Sequence, residues 1–219
     1  MAAVVVGAVL VVLATRPAAA PTNALTLPPG VYSADQTSGA SLGSKSAPVV
    51  IQIYADFQCP ACRQLITQGL PRLVADFVTP GVVRLEAQDV DFLGSGAANE
   101  SLELAAGAYC AAQQNRYWQY HDLVFWNQGR ENRGDHSTAF ITRVADQAGV
   151  DDAAWASCFQ RTDIRQPIAD RSSSALAQGI DSTPTLIVNG QKIVGVPDYG
   201  QLSSLITQLA AAVASPRPS

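Results

Sequence analysis

Hydrophobic and polar positions along the chain alternate between two periods from about position 47 onward. Residues 49–55 (VVIQIYA) form a nearly unbroken β-branched and aromatic run, the pattern of a central parallel strand covered on both faces. Over residues 60–77, Leu65, Ile66, Leu70, Leu73, Val74 and Phe77 fall on one face of a 3.6-residue period. This predicts an amphipathic helix entered at Pro60 and kinked by Pro71. Thr79-Pro80-Gly81 ends it, and residues 82–87 (VVRLEA) return to strand character, completing a βαβ unit with a right-handed crossover. Residues 94–178 are helical in pattern, with breaks at 127–135 (NQGRENRGD), at 149–152 (GVDD) and near 162–163. Two short strands then flank Asn189-Gly190, a two-residue hairpin signal, and residues 199–213 close with a helix. The expected fold class is α/β: a β-α-β half (47–93) and a β-β-α half (180–213), split by a helical insertion (94–179), with a short tail at 214–219.

The first 46 residues follow neither period. Ala2 to Ala14 is uninterrupted apolar sequence, followed by Arg16 and the small residues Ala18 to Ala20. Its 13 residues fall short of the roughly 20 that span a bilayer as a helix. Residues 1–20 are therefore expected to be a signal peptide or an N-terminal membrane anchor, which makes the chain an exported one. Residues 21–46, rich in Pro, Gly, Ser and Thr, have the composition of a flexible linker. With 47% apolar and 15% charged residues in 219, the remainder can bury one sizeable core. A net charge of −4 with scattered Lys and Arg provides no basic stripe for a phosphate backbone, so nucleic acid is not an expected partner.

The candidate chemistry lies where the first strand meets the first helix, in Cys59-Pro60-Ala61-Cys62. With Cys59 as N-cap, Pro60 occupies the first helical turn, where its missing N–H costs nothing. Backbone N–H groups and the positive end of the helix then favour a thiolate at Cys59. Cys62 is within disulfide reach on the same face but one turn further in, so it is expected to be more buried and less reactive. A zinc site would need Cys110 and Cys158 as well, and neither belongs to a second closely spaced ligand pair. A purely structural Cys59–Cys62 bridge closes too small a loop to constrain the unfolded chain much. Redox exchange is the reading that position and spacing favour. In this topology Ser182-Thr183-Pro184-Thr185 faces the cysteines across the sheet, where a cis bond at Pro184 leaves the backbone of Thr183 free to pair with an extended substrate.

"DFQCPAC", "YWQYHDLVF" (117–125) and "GIDSTPTLIVNGQKIVG" (179–195) together resemble the DsbA-type thiol:disulfide oxidoreductases, thioredoxin folds with a helical domain inserted between their halves. The resemblance spans residues 42–206. It implies Cys59 as nucleophile, Cys62 as resolving partner, Thr183 and Pro184 as the cis-proline loop that binds substrate, and no cofactor beyond the redox-active Cys59–Cys62 disulfide. The implied partners are unfolded exported proteins with free thiols and a quinone-linked membrane re-oxidant of the DsbB or VKOR kind; the implied location is extracytoplasmic. One departure is Pro60-Ala61 between the cysteines, where the best-known members carry Pro-His.

Of the other residues, Cys110 and Cys158 are expected to pair with each other, as the two remaining cysteines of an exported chain. Asp56 reads as a solvated turn or capping residue, His121 as a packed helix residue and His136 as part of a polar loop. Trp118, Trp126 and Trp155 are expected in the core of the insertion. A reductase or isomerase of the same fold, a glutathione-dependent enzyme, and a non-enzymatic binding or copper-handling module remain alternatives at this level.

Overall fold

A computed structural model describes residues 24–30, 32, 34–96 and 99–214. The expected signal or anchor (1–20) and residues 215–219 of the tail lie outside them. Among the described residues no helix is long and apolar enough to cross a membrane.

The sheet has six strands in the order β1-β2-β4-β3-β5-β6: β1 Thr37–Ser38, β2 Ser41–Leu42, β3 Val49–Ala55, β4 Val83–Asp89, β5 Thr185–Val188 and β6 Gln191–Val194. The apolar run of β3 sits at the centre, parallel to β4 and antiparallel to β5, with Ile51 opposite both Leu85 and Val188. Its last three residues are buried, while Val50 and Gln52 are half-buried, so the strand is covered on both faces only where it approaches the site. Asn189 and Gly190, both at positive φ (44° and 88°), turn β5 into β6, as the hairpin signal requires. The split α/β arrangement expected from the sequence is the one found.

The helix after β3 is not uniform. It starts as α1 (Pro60–Gln64), passes through a π-turn (Leu65–Gly69) into α2 (Leu70–Leu73), and ends in a second π-turn (Val74–Val78). Pro71 cannot donate to the i−4 carbonyl and its ring crowds that group, and the wider π-turn immediately before it is where the backbone adjusts. Between β4 and β5 lie α3 (Glu100–Ala112), α4 (Tyr117–Trp126), α5 (Thr138–Gln147), α6 (Asp152–Phe159) and α7 (Gln166–Ala177); α8 (Tyr199–Ala214) follows β6. α3 and α4 pack closely because Gly107 has no side chain: a Cβ there would lie 2.3 Å from the Tyr120 hydroxyl.

The expected linker is the main revision. The β1–β2 hairpin joins the sheet on β4, with Leu42 opposite Leu85 and fully buried. Upstream of it, Thr26 N–H donates to Asn127 Oδ1 (2.7 Å) while Asn127 Nδ2 donates to the Thr26 carbonyl (2.9 Å), and the Tyr32 hydroxyl donates to Asp122. Two-residue strands are too short to register as a periodicity, so a segment of linker composition hides its anchors.

Candidate active site

β3 delivers the chain to the N-terminus of α1, and the turn between them carries the cysteines. Cys59 is the N-cap (φ −74°, ψ 120°), and its Sγ accepts from the Cys62 N–H at 3.4 Å. Both thiols are free. From the neighbouring strand, the loop before β5 brings the Thr183 carbonyl to 3.3 Å of Cys59 Sγ, and the Thr183–Pro184 bond is cis. Cys59, Cys62, Thr183 and Pro184, separated by up to 125 positions in sequence, are thus gathered where the C-terminal end of β3 meets the start of its neighbour β5. Pro60 is exposed and Ala61 half-buried.

The two sulfurs occupy different electrostatic environments. The Cys59 thiol is lowered to about 6, chiefly because the Cys62 thiol donates to it; Thr183 and the N–H groups of Cys62 and Ala61 add to this, and burial opposes it. The Cys62 thiol is pushed up by burial and by its position as donor beside the Cys59 charge. Cys59 keeps 6% exposure and Cys62 none, so both are buried and Cys59 is the less enclosed of the two; the sequence predicts a more exposed Cys59.

Asp56, expected to be a solvated turn or capping residue, does bond within the turn but is completely buried. Its carboxylate accepts from the Gln58 N–H (2.8 Å), the Leu93 N–H (2.9 Å) and the Ser101 hydroxyl (2.7 Å). Burial pushes it up to about 6; the three donors pull it down, and a Cys59 thiolate pushes it further up. Gln58 extends the network, donating to Ser101 Oγ (2.8 Å) and accepting from the Asn132 N–H (2.7 Å). Between them Phe57 stacks on Phe125 with centroids 5.1 Å apart and meets His121 edge-on. Residues 56–58 therefore clamp the cysteine turn onto the insertion, with polar contacts on either side of an aromatic one. From the loop after α4, Gln128 Nε2 donates to the carbonyls of Phe57 (2.7 Å) and Cys59 (3.1 Å).

The remaining expectations divide. His121 is packed among aromatic rings and bonded to Asp122 at 2.8 Å. His136 lies in a loop but is buried, contrary to the polar setting expected. Its Nε2 accepts from the Gly129 N–H (3.0 Å), which leaves Nδ1 to donate to Glu100 (2.8 Å) and holds the loop that supplies Gln128. Trp118 and Trp155 are in the core, whereas Trp126 is half-buried. Cys110 and Cys158 are joined in a disulfide across a separation of 48 residues, which removes both as metal ligands.

Anion repulsion is mutual, so a charged Asp56 opposes ionisation of Cys59 as the Cys59 thiolate opposes that of Asp56. Iodoacetamide labelling of Cys59 in the reduced protein should rise with a midpoint near pH 6, where a free thiol titrates at about 8.5. Asp56→Asn, which removes the neighbouring charge, should move that midpoint lower. A midpoint at the free-thiol value would remove the capping account, and an unmoved midpoint in the variant would remove the coupling.

Three comparisons with known proteins bear on the family and the fold. The family model described as Thioredoxin matches residues 35–208. A Bacillus cereus protein named "Probable disulfide bond formation protein D" is 26% identical over 169 residues, 76% of each chain. The crystal structure of oxidised BdbD from Bacillus subtilis superposes with a TM-score of 0.71 at 20% identity, covering 83% of this chain and 97% of that one. Reduced DsbA from Mycobacterium tuberculosis gives 0.65 at 24% identity, covering 81% and 100%.

Proposed function

The chain belongs to the thioredoxin family, and from that premise we propose that it is an exported protein-disulfide oxidoreductase that donates the Cys59–Cys62 disulfide to folding extracytoplasmic proteins. The observation that carries the proposal is the asymmetry of the two thiols: one less enclosed and lowered to about 6, the other fully buried and pushed up. The names of the relatives, disulfide bond formation proteins among them, support the same reading.

In the oxidised protein a substrate thiolate attacks Cys59 Sγ, on the less enclosed of the two cysteines. The Cys59–Cys62 bond breaks, a mixed disulfide forms, and Cys62 departs and takes up a proton. The substrate's second thiolate then attacks its own bonded sulfur and expels Cys59. Two electrons pass from the substrate dithiol to the protein, one proton is held at Cys62, and above about pH 6 Cys59 leaves as thiolate. A low-pKa thiol is the better leaving group, so the second step is the faster one chemically. The Thr183 backbone, beside Cys59, is placed to pair with the extended substrate chain. The active disulfide needs no bound cofactor. Turnover requires a re-oxidant, which we assign to a quinone-linked membrane protein of the DsbB or VKOR kind.

Ionisation sets the direction of transfer. A thiol lowered from about 9 to about 6 stabilises the reduced folded chain fully above pH 9, and that stabilisation is lost as pH falls through 6. Stabilising the reduced form makes the oxidised form the stronger oxidant. Thioredoxin, with a thiol near 7, has a potential of about −270 mV, and DsbA, with one near 3.5, about −120 mV. Equilibration of Cys59–Cys62 in glutathione buffers should place this protein between the two. A potential at or below about −270 mV would favour a reductase instead.

A further inference from the structure

A groove of about 440 Å³ opens beside the reactive sulfur, between α1 with its following π-turn and the loop after α4. Pro60, Arg63, Gln64, Thr67, Gln68 and Gln128 line it. It meets the active site directly, since Pro60 follows Cys59 and the Gln128 amide donates to the Cys59 carbonyl at 3.1 Å. Its walls are polar. Arg63, Gln64 and Gln68 are exposed, and among the described residues none of the three makes a side-chain hydrogen bond or ion pair. Other arginines nearby are committed: Arg72 to Asp76, Arg130 to Asp135. An unpaired guanidinium one helical turn from the nucleophile, beside two uncommitted amides, is a set of donors suited to a carboxylate and to peptide groups.

We propose that this groove receives the stretch of substrate chain flanking the cysteine that bonds to Cys59, and that Arg63 selects acidic side chains in that stretch. The proposal rests on the oxidase reading and adds a specificity to it. The chain's net charge of −4 works the other way, repelling acidic substrates as a whole. At 0.1 M salt, however, exposed charges more than about 10 Å apart are largely screened, so the local guanidinium outweighs the distant carboxylates. Gln64, Gln68 and the free Oε1 of Gln128 pair with substrate backbone, which is common to every sequence, and Arg63 supplies the discrimination.

The test uses three dithiol peptides that differ only in residues flanking one cysteine, carrying Glu, Gln or Lys there. The rate at which the oxidised protein converts each is measured at 0.1 M salt with the wild type, Arg63→Gln and Arg63→Glu. An exposed ion pair is worth up to about fivefold, so the Glu peptide should react about fivefold faster than the Lys peptide with the wild type. The ratio should fall to near one in Arg63→Gln and invert in Arg63→Glu. Equal wild-type rates for the three peptides would overturn the proposal. So would a change of the same size for all three on substitution, since that places Arg63's effect on the sulfur rather than on the substrate. If the wild type oxidised none of them, the oxidase reading would fail, and the inference with it.

Discussion

Cys62→Ser protein made in a secretory compartment should accumulate covalent complexes with other proteins, visible as reducible higher-mass bands on non-reducing gels, whereas Cys59→Ser should form few or none. The difference follows from access and ionisation. In Cys62→Ser the less enclosed sulfur remains, so partners can bond to it, but the internal thiol that would release them is gone. In Cys59→Ser the remaining thiol is fully buried and pushed up, so it is both protonated and out of reach. Both variants lose dithiol oxidation entirely, so activity does not separate the roles; the trapped species do. Equal trapping by the two variants would leave attacker and resolver unassigned, and trapping through Cys62 alone would reverse them.

The second large effect concerns stability. The Cys110–Cys158 bond ties α3 to α6 across 48 residues, and in the chain-entropy model a closure of that size is worth about 4 kcal/mol. Replacing both cysteines by alanine avoids burying a hydroxyl at Cys110, which is fully buried. The melting temperature should then fall by on the order of 8–16 °C, while dithiol oxidation per folded molecule stays near the wild-type level. Lost turnover in a folded variant would instead make this pair an electron relay to the active site.

The cysteine turn was legible in the sequence because its logic is local: strand, N-cap, proline and second cysteine all lie between Val49 and Cys62, and their spacing alone sets the helix geometry. The hairpin at Asn189-Gly190 was legible for the same reason, since positive φ at two positions has a residue signature. What holds the turn in place was not. Asp56 finds its donors 37 and 45 positions away and Gln58 bonds across 74, so neither burial nor network is visible to periodicity. An acidic residue before a helix looks solvated until its partners are placed. The docked segment before β3 was hidden in a similar way: Thr26 and Tyr32 bond to residues of the insertion 101 and 90 positions on, from within a stretch whose composition reads as linker. Trp126 shows the reverse: its aromatic side chain predicts a core position, yet it sits half-buried at the end of α4.

The central claim is that two electrons enter this protein through Cys59 and Cys62. A single-turnover reaction between fully oxidised protein and one equivalent of a dithiol peptide, quenched and mapped by mass spectrometry, tests it most directly. One peptide disulfide should form per chain, Cys59 and Cys62 should both appear as thiols, and Cys110–Cys158 should remain bonded. A peptide left reduced, or thiols appearing at Cys110 and Cys158 instead, would contradict the account.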